Sequence, residues 1–353
     1  MNNKKWSIAL LTITFGLLAL IGGLTAWIDP FFHYHTPLPQ FQYPIDNQRY
    51  QNDGIAKNFP YDAIITGTSM TENFKTSQCD ALFDCASVKT SFSGATFAEL
   101  NQHLLRAIQA NPDLKLVIYG LDSWFFLANP VDLRTDAAYP HYLYDNVLFN
   151  DVNYLLNKEV FLFDTLGVLD YTAAGKTTTD FDSYSNWDSM YTYDGKSVLA
   201  NYQRQPKVSE ITPFTHSERD TIRRNMDSCI AQLARSHPDI QFYYFFPPYS
   251  VLFWDELVQT GKLSWQIEAF EQATESLLGL DNLHLFAFYD NYEITENLTN
   301  YRDKVHYSAA INEWILQAMK NGEYQLTREN YQSRWQAIEE HYQNFDFNAY
   351  FSQ

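Results

Sequence analysis

Ser69 closes the run Asp62-Ala-Ile-Ile-Thr-Gly-Thr-Ser, where an apolar stretch breaks at Gly67 and a helix can begin. A serine hydroxyl is a weak nucleophile at neutral pH and needs an imidazole to take its proton as it attacks. That imidazole in turn needs a carboxylate on its other nitrogen, to fix the tautomer and stabilise the imidazolium. Far along the chain, Tyr301-Arg-Asp-Lys-Val-His306 offers both groups on one short loop, with Asp303 three residues before His306. The backbone N–H groups of Ser69 and Gly94 are candidate donors to a developing oxyanion, since a glycine lets backbone approach a substrate closely. Asp122, in Gly120-Leu-Asp122, is the third candidate of that set. An ionised carboxylate accepts hydrogen bonds and cannot donate one, so Asp122 must be protonated, turned to a structural partner, or a sign of altered chemistry.

Each piece has a plainer reading. A Gly-x-Ser turn is common, and Ser69 could serve only as a turn residue or helix cap. Ser123 is a rival nucleophile, but it lacks a turn glycine directly before it. Asp281-Asn-Leu-His284 repeats the Asp-x-x-His spacing, yet His284 falls inside an apolar run that reads as a strand. Aromatic residues make up 17% of the chain, and Trp187, Tyr191 and Tyr193 are candidate platforms for sugar C–H faces, although most such rings must be core. There is no His or Cys cluster at metal-ligand spacing and no phosphate-binding glycine loop, so neither metal nor cofactor is expected.

The elements that must position these residues alternate. Apolar runs at 62–66, 114–122, 240–248 and 282–290 read as strands, and a further short strand is expected at 87–92. Thr96 with Glu99, and Thr215 with Glu218, form capping boxes that open amphipathic helices, the second running to about Ser236. A last helix runs from Ser308 to Lys320 and stops at Gly322. Strands separated by helices imply an α/β fold with parallel pairing and right-handed crossovers, and ligands bind beyond the carboxyl ends of such strands. Ser69, Gly94 and Asp122 all follow strand ends. Residues 125–214 form a long insertion with one helical candidate, 151–169, followed by a Tyr-rich polar stretch. It either shapes a substrate site or covers sheet or membrane-proximal surface.

A chain of 353 residues, 46% hydrophobic, can bury a full core, and one main domain is expected. The net charge of −18 argues against a polyanion-binding surface and so against nucleic acid as a partner. Residues 7–28 carry no charge and are long enough to cross a bilayer, whereas a cleaved signal has an apolar region of about 7–15 residues. Lys4 and Lys5 before the span place the N-terminus in the cytoplasm and the remainder outside. The reading is therefore 1–29 as cytoplasmic terminus and anchor, 30–57 as an extended connector, 58–322 as the main domain and 323–353 as a helical tail. Three cysteines are too few for a disulfide scaffold, although Cys79 and Cys85 could close a small loop, with Cys229 a packed core thiol.

The ordered set Gly-Thr-Ser69, Ser-Gly94, Gly-Leu-Asp122 and Asp303-Lys-Val-His306 resembles the SGNH hydrolase superfamily over roughly residues 58–125 and 238–320. The anchor, the DPFFHYH connector and FFPPYS (245–250) make it similar to the anchored members that accompany membrane-bound O-acyltransferases, including proteins acting on alginate and the D-alanine transfer protein of teichoic acids. That resemblance implies a three-layer α/β/α domain with a parallel, flavodoxin-like sheet. It implies a serine esterase or O-acyltransferase on cell-envelope polysaccharide, with Ser69, His306 and Asp303 as triad and a multi-span O-acyltransferase as partner. The rival from another class is a non-catalytic accessory or glycan-binding partner of such an acyltransferase, which Asp122 in place of the common Asn favours.

Overall fold

The computed structural model describes residues 3–129, 131–133 and 139–351, and the chain resolves into two compact units. The first comprises Met1–Pro60 and Asp136–Asp180, the second Tyr61–Thr135 and Phe181–Gln353. The 125–214 insertion is thus shared between them.

In the first unit the helix Asn3–Ile28 is long and apolar enough to span a membrane, and nearly all of its surface is bare, with only Thr25 and Ile28 buried. The segment after it was expected to be an extended connector over the surface. Instead it is core: Phe31, Phe32, Tyr43 and Ile45 are buried. The cause is Asp29, whose carboxylate accepts the backbone N–H groups of His33, Tyr34 and His35 and the Tyr154 hydroxyl, folding the chain back on itself. The helix Gln48–Asn58 then lies backbone to backbone on this turn at Gly54, where a Cβ would stand 2.2 Å from the Phe31 carbonyl oxygen. The helical candidate 151–169 forms as Val152–Leu155, a wide turn at Val160–Thr165 and Leu166–Ala173.

The second unit is built on a mixed sheet of six strands in the order β2-β1-β3-β4-β5-β6. These are β1 (Ala63–Thr66), β2 (Ser87–Lys89), β3 (Leu116–Gly120), β4 (Gln241–Phe246), β5 (Leu283–Ala287) and β6 (Gln325–Leu326). The first five pair in parallel, with Ile64 opposite Val88 and Val117, and Phe242 opposite Leu283. β1, β2 and β3 are buried along their whole length, as the continuous apolar runs of β1 and β3 require, while in β2 the buried Lys89 donates to the Glu72 and Phe74 carbonyls. β6 was not foreseen; it is a short antiparallel edge, Leu326 opposite Leu285, too brief to leave an alternation in the sequence.

Both predicted N-terminal caps form. Thr96 Oγ1 accepts the Glu99 N–H, and Thr215 with Glu218 makes the reciprocal box at the start of a helix that runs, through a wide turn at Met226–Ala231, to Ser236. Helices Val251–Gln259 and Leu263–Leu277 add to the core, as does Tyr331–Asn344 from the predicted tail. Phe270 stacks on Trp335 at 4.7 Å, and Trp254 on Tyr342 at 4.7 Å.

Candidate active site

β1 ends at Thr66, and Gly67 turns the chain at φ 145°, a conformation that side chains rarely adopt. A Cβ there would stand 2.7 Å from Thr71 Cγ2. The turn continues into the short helix Ser69–Thr71, and its cap is Thr68, whose side chain accepts the Met70 N–H. Ser69 is therefore not the cap. Its Oγ lies 2.9 Å from His306 Nε2.

His306 sits on a loop pinned at both ends by a bridge between Tyr301 and Tyr307. Its Nδ1 lies 2.8 Å from Asp303 Oδ2 and 3.0 Å from Oδ1, while the Val305 and His306 amides donate to Oδ1 at 2.9 Å each. Burial alone would raise the Asp303 pKa. The hydrogen bond and charge of His306, with the two amides, outweigh burial and hold the carboxyl well below the usual range. With Nδ1 donating to a carboxylate, Nε2 is left to accept the Ser69 proton.

The two halves of this arrangement are tied through one carbonyl. Met70 O, next to the serine, accepts the Tyr307 hydroxyl at 3.2 Å and Asn312 Nδ2 at 3.1 Å. The histidine loop is tied to the end of β4 as well, where Lys304 O accepts both the amide and the hydroxyl of Ser250.

Gly94 follows β2 at φ 63°, two residues beyond Phe92, whose amide donates to Gly67 O at 2.8 Å. The loop bearing Gly94 is thereby held against the serine turn, and Thr71 and Ser91 bond through their hydroxyls at 2.7 Å. Asp122 corrects an expectation. As a third oxyanion donor it has no free donor to offer: Oδ2 accepts the Thr68 hydroxyl at 3.1 Å, and Oδ1 accepts the Trp124 amide and the Tyr249 hydroxyl. It is buried, which raises its pKa, with the three hydrogen bonds opposing that rise. Of the options open for Asp122, the structural partner is the one observed, and that partner, Thr68, adjoins Ser69.

The rivals fall elsewhere. Ser123 opens the short helix Ser123–Phe125, whose cap is Asp122. His284 lies on β5, with Nε2 3.0 Å from Gln241 Oε1 and its ring against Tyr243.

Trp187 and Tyr191 do reach the site, but not as bare platforms. The Trp187 ring stands edge-on to His306 at 5.7 Å, and the guanidinium of Arg302 lies over Trp187 at 4.2 Å and over Tyr191 at 4.3 Å. Each ring therefore has a face occupied by Arg302. Tyr193 is tied down by its hydroxyl, which donates to Asp188 Oδ1 at 2.8 Å. Arg302, Thr68 and Tyr249 were the residues that the sequence reading missed. Arg302 directly precedes Asp303 and Tyr249 lies in FFPPYS, but neither spacing signals a contact.

Two cavities flank the histidine loop. One of about 350 Å³ is lined by Asp303, Lys304, Tyr202, Asn201 and Gln203. The other, of about 230 Å³, is walled by Trp124, Phe126, Leu127, Phe253 and Trp265. Glu256, ion-paired with Lys304, borders both. Among the described residues, the group able to hold a metal ion by proximity is Cys79, Asp80 and Cys85, with ligand atoms within 4.8 Å of one another. Asp80 Oδ1 already accepts the Ser87 amide at 2.7 Å, and both thiols are free, 4.0 Å apart.

No family model matches this chain, and no curated protein does. Among solved structures, a chain from Streptococcus pneumonia provisionally named a platelet activating factor is similar to it at 11% identity, over 78% of this chain and 90% of that one, with a TM-score of 0.39.

Proposed function

We propose that this protein is a single-pass, outward-facing serine esterase or O-acyltransferase of the SGNH type, built as a three-layer, flavodoxin-like α/β/α domain and acting on acyl groups of cell-envelope polysaccharide. The single observation that carries the reading is the chain of contacts Ser69 Oγ to His306 Nε2 at 2.9 Å and His306 Nδ1 to Asp303 Oδ2 at 2.8 Å.

In the first half-reaction His306 Nε2 takes the hydroxyl proton as Ser69 Oγ bonds to the acyl carbonyl carbon. The carbonyl oxygen becomes an oxyanion, which the Ser69 and Gly94 amides would hold. Collapse breaks the bond to the donor oxygen, and that oxygen leaves with the proton from His306. In the second half, water or an acceptor hydroxyl loses its proton to His306 and attacks the acyl-serine, and Ser69 recovers its proton on release. Asp303 stays ionised throughout and keeps Nδ1 protonated. Amide and phenol groups along the larger cavity suit sugar hydroxyls, and the apolar walls of the smaller suit a short acyl chain.

The second reading is a non-catalytic accessory or glycan-binding partner of a membrane O-acyltransferase, and Asp122 favours it, since its carboxylate accepts from Thr68, Trp124 and Tyr249 and donates nothing to an oxyanion. The test is treatment of the full chain in detergent with a fluorophosphonate probe, which should label the protein at Ser69. Absence of labelling, or equal labelling of Ser69→Ala, would return the accessory reading to first place.

A further inference from the structure

The first unit carries a second apolar surface beside its long helix, and nothing in the catalytic reading uses it. Between residues 147 and 163, Phe149 is 95% exposed, Leu148 79% and Phe163 73%, with Val147, Val152 and Leu162 bare as well. Contiguous exposed apolar side chains of this size mark a surface that meets something other than water.

Its position relative to the helix says what. Trp6 and Trp27 stand exposed near the two ends of Asn3–Ile28, 21 residues apart. At 1.5 Å per residue that separation is about 32 Å, close to the thickness of a hydrocarbon core flanked by interfacial aromatic rings. Gly22 lies five residues before Trp27, hence about 7 Å inside that boundary. There the helix meets the apolar segment: a Cβ on Gly22 would stand 3.3 Å from Leu156 Cδ2 and 3.7 Å from Leu155 Cβ. One turn later Thr165 bonds to Thr25 through their hydroxyls at 3.3 Å. The segment bearing the bare Phe and Leu side chains is thus packed on the helix at the depth where headgroups give way to acyl chains.

We infer that residues 147–163 form a membrane-dipping wedge, inserted into the leaflet at the carboxyl end of the anchor helix. The wedge is interfacial rather than spanning, because exposed Lys158, Glu159 and Asn153 interrupt it and would reach the headgroups. The occupant is lipid acyl chain, by continuity with the apolar surface of the helix itself. With a net charge of −18, the chain gains nothing from anionic headgroups, so docking is apolar and independent of lipid charge.

The test reconstitutes the full chain in phosphatidylcholine vesicles containing a phosphatidylcholine with an acyl-chain diazirine, followed by irradiation and peptide mapping by mass spectrometry. Lipid adducts are expected on 147–163 as well as on the helix. The combined variant Leu148→Ser, Phe149→Ser, Phe163→Ser should lose the adducts of that segment and keep those of the helix. Adducts on the helix alone in the unsubstituted chain would overturn the inference, whatever covers the segment instead. So would adducts on 147–163 that appear only when phosphatidylglycerol is added. Absence of adducts from the helix too would overturn the membrane placement on which the depth argument stands. None of these outcomes depends on Ser69 chemistry.

Discussion

Arg302 shares Asp303 Oδ2 with His306, its Nε standing 3.1 Å away, while its guanidinium lies over Trp187 and Tyr191. Two residues of the insertion thereby act on the orientation of the carboxylate without touching it. A cation over an aromatic face contributes about 1 kcal/mol, so a double-mutant cycle between Arg302→Ala and Trp187→Ala should show a coupling of roughly fivefold in fluorophosphonate labelling rate. Arg302→Lys should not restore the rate, since an ammonium lacks the planar fork that spans both rings and the carboxylate. Asp122 makes a prediction of the opposite electrostatic sense. Burial raises its folded pKa above the ordinary 3.8, so the folded state binds a proton more tightly than the unfolded chain does. Its contribution to stability is greatest in acid and declines as pH rises from about 3.8 through the raised value. Asp122→Asn should remove that decline, read as a flatter dependence of urea midpoint on pH over that window, whereas an unchanged slope would mean another group sets it.

At the level of elements, the serine turn depends on the first strand being followed by a residue without a side chain. Gly67 combines φ 145° with a neighbour 2.7 Å from any added Cβ, and strained backbone and overpacking each cost about 1–3 kcal/mol. Gly67→Ala should lower unfolding stability by roughly 2–6 kcal/mol by denaturant titration, and should abolish labelling of Ser69 even where the fold survives. A fully active Gly67→Ala protein would show that the turn tolerates displacement. The histidine loop is built differently, closed by the Tyr301–Tyr307 bridge and by Asx-type bonds from Asp303 to the next amides. That is why three residues suffice to fix its geometry.

Across the whole molecule, the second unit draws its core from the far end of the chain. Trp335 is fully buried, stacks on Phe270 and donates its indole N–H to Thr274 Oγ1 at 3.1 Å. Trp335→Ala should cost about 3–5 kcal/mol, read as a shift in urea midpoint, because the cavity and the lost hydrogen bond lie in one stack. A surface tail would show almost no shift. The first unit shows the same dependence on distant chain: Asp29 and Tyr154, 125 residues apart, meet in its interior.

The alternation of strand and helix, the helix caps at Thr96 and Thr215, the span-length apolar helix and the placement of Ser69, Gly94 and His306 after strand ends were legible in the sequence. Local rules carry them: apolar periodicity, capping chemistry and the turn preferences of glycine act over a few residues. The antiparallel edge at Gln325–Leu326, the buried course of the chain after Asp29, and the grip of Arg302, Trp187 and Tyr191 on the histidine loop were decided only by tertiary structure. Each rests on side chains brought together from distant positions, and no spacing along one chain encodes which buried carboxylate will find which hydroxyl. Asp122 shows the division most clearly. Its sequence position permitted three readings, and the Thr68 and Tyr249 hydroxyls, from two other strand ends, selected one.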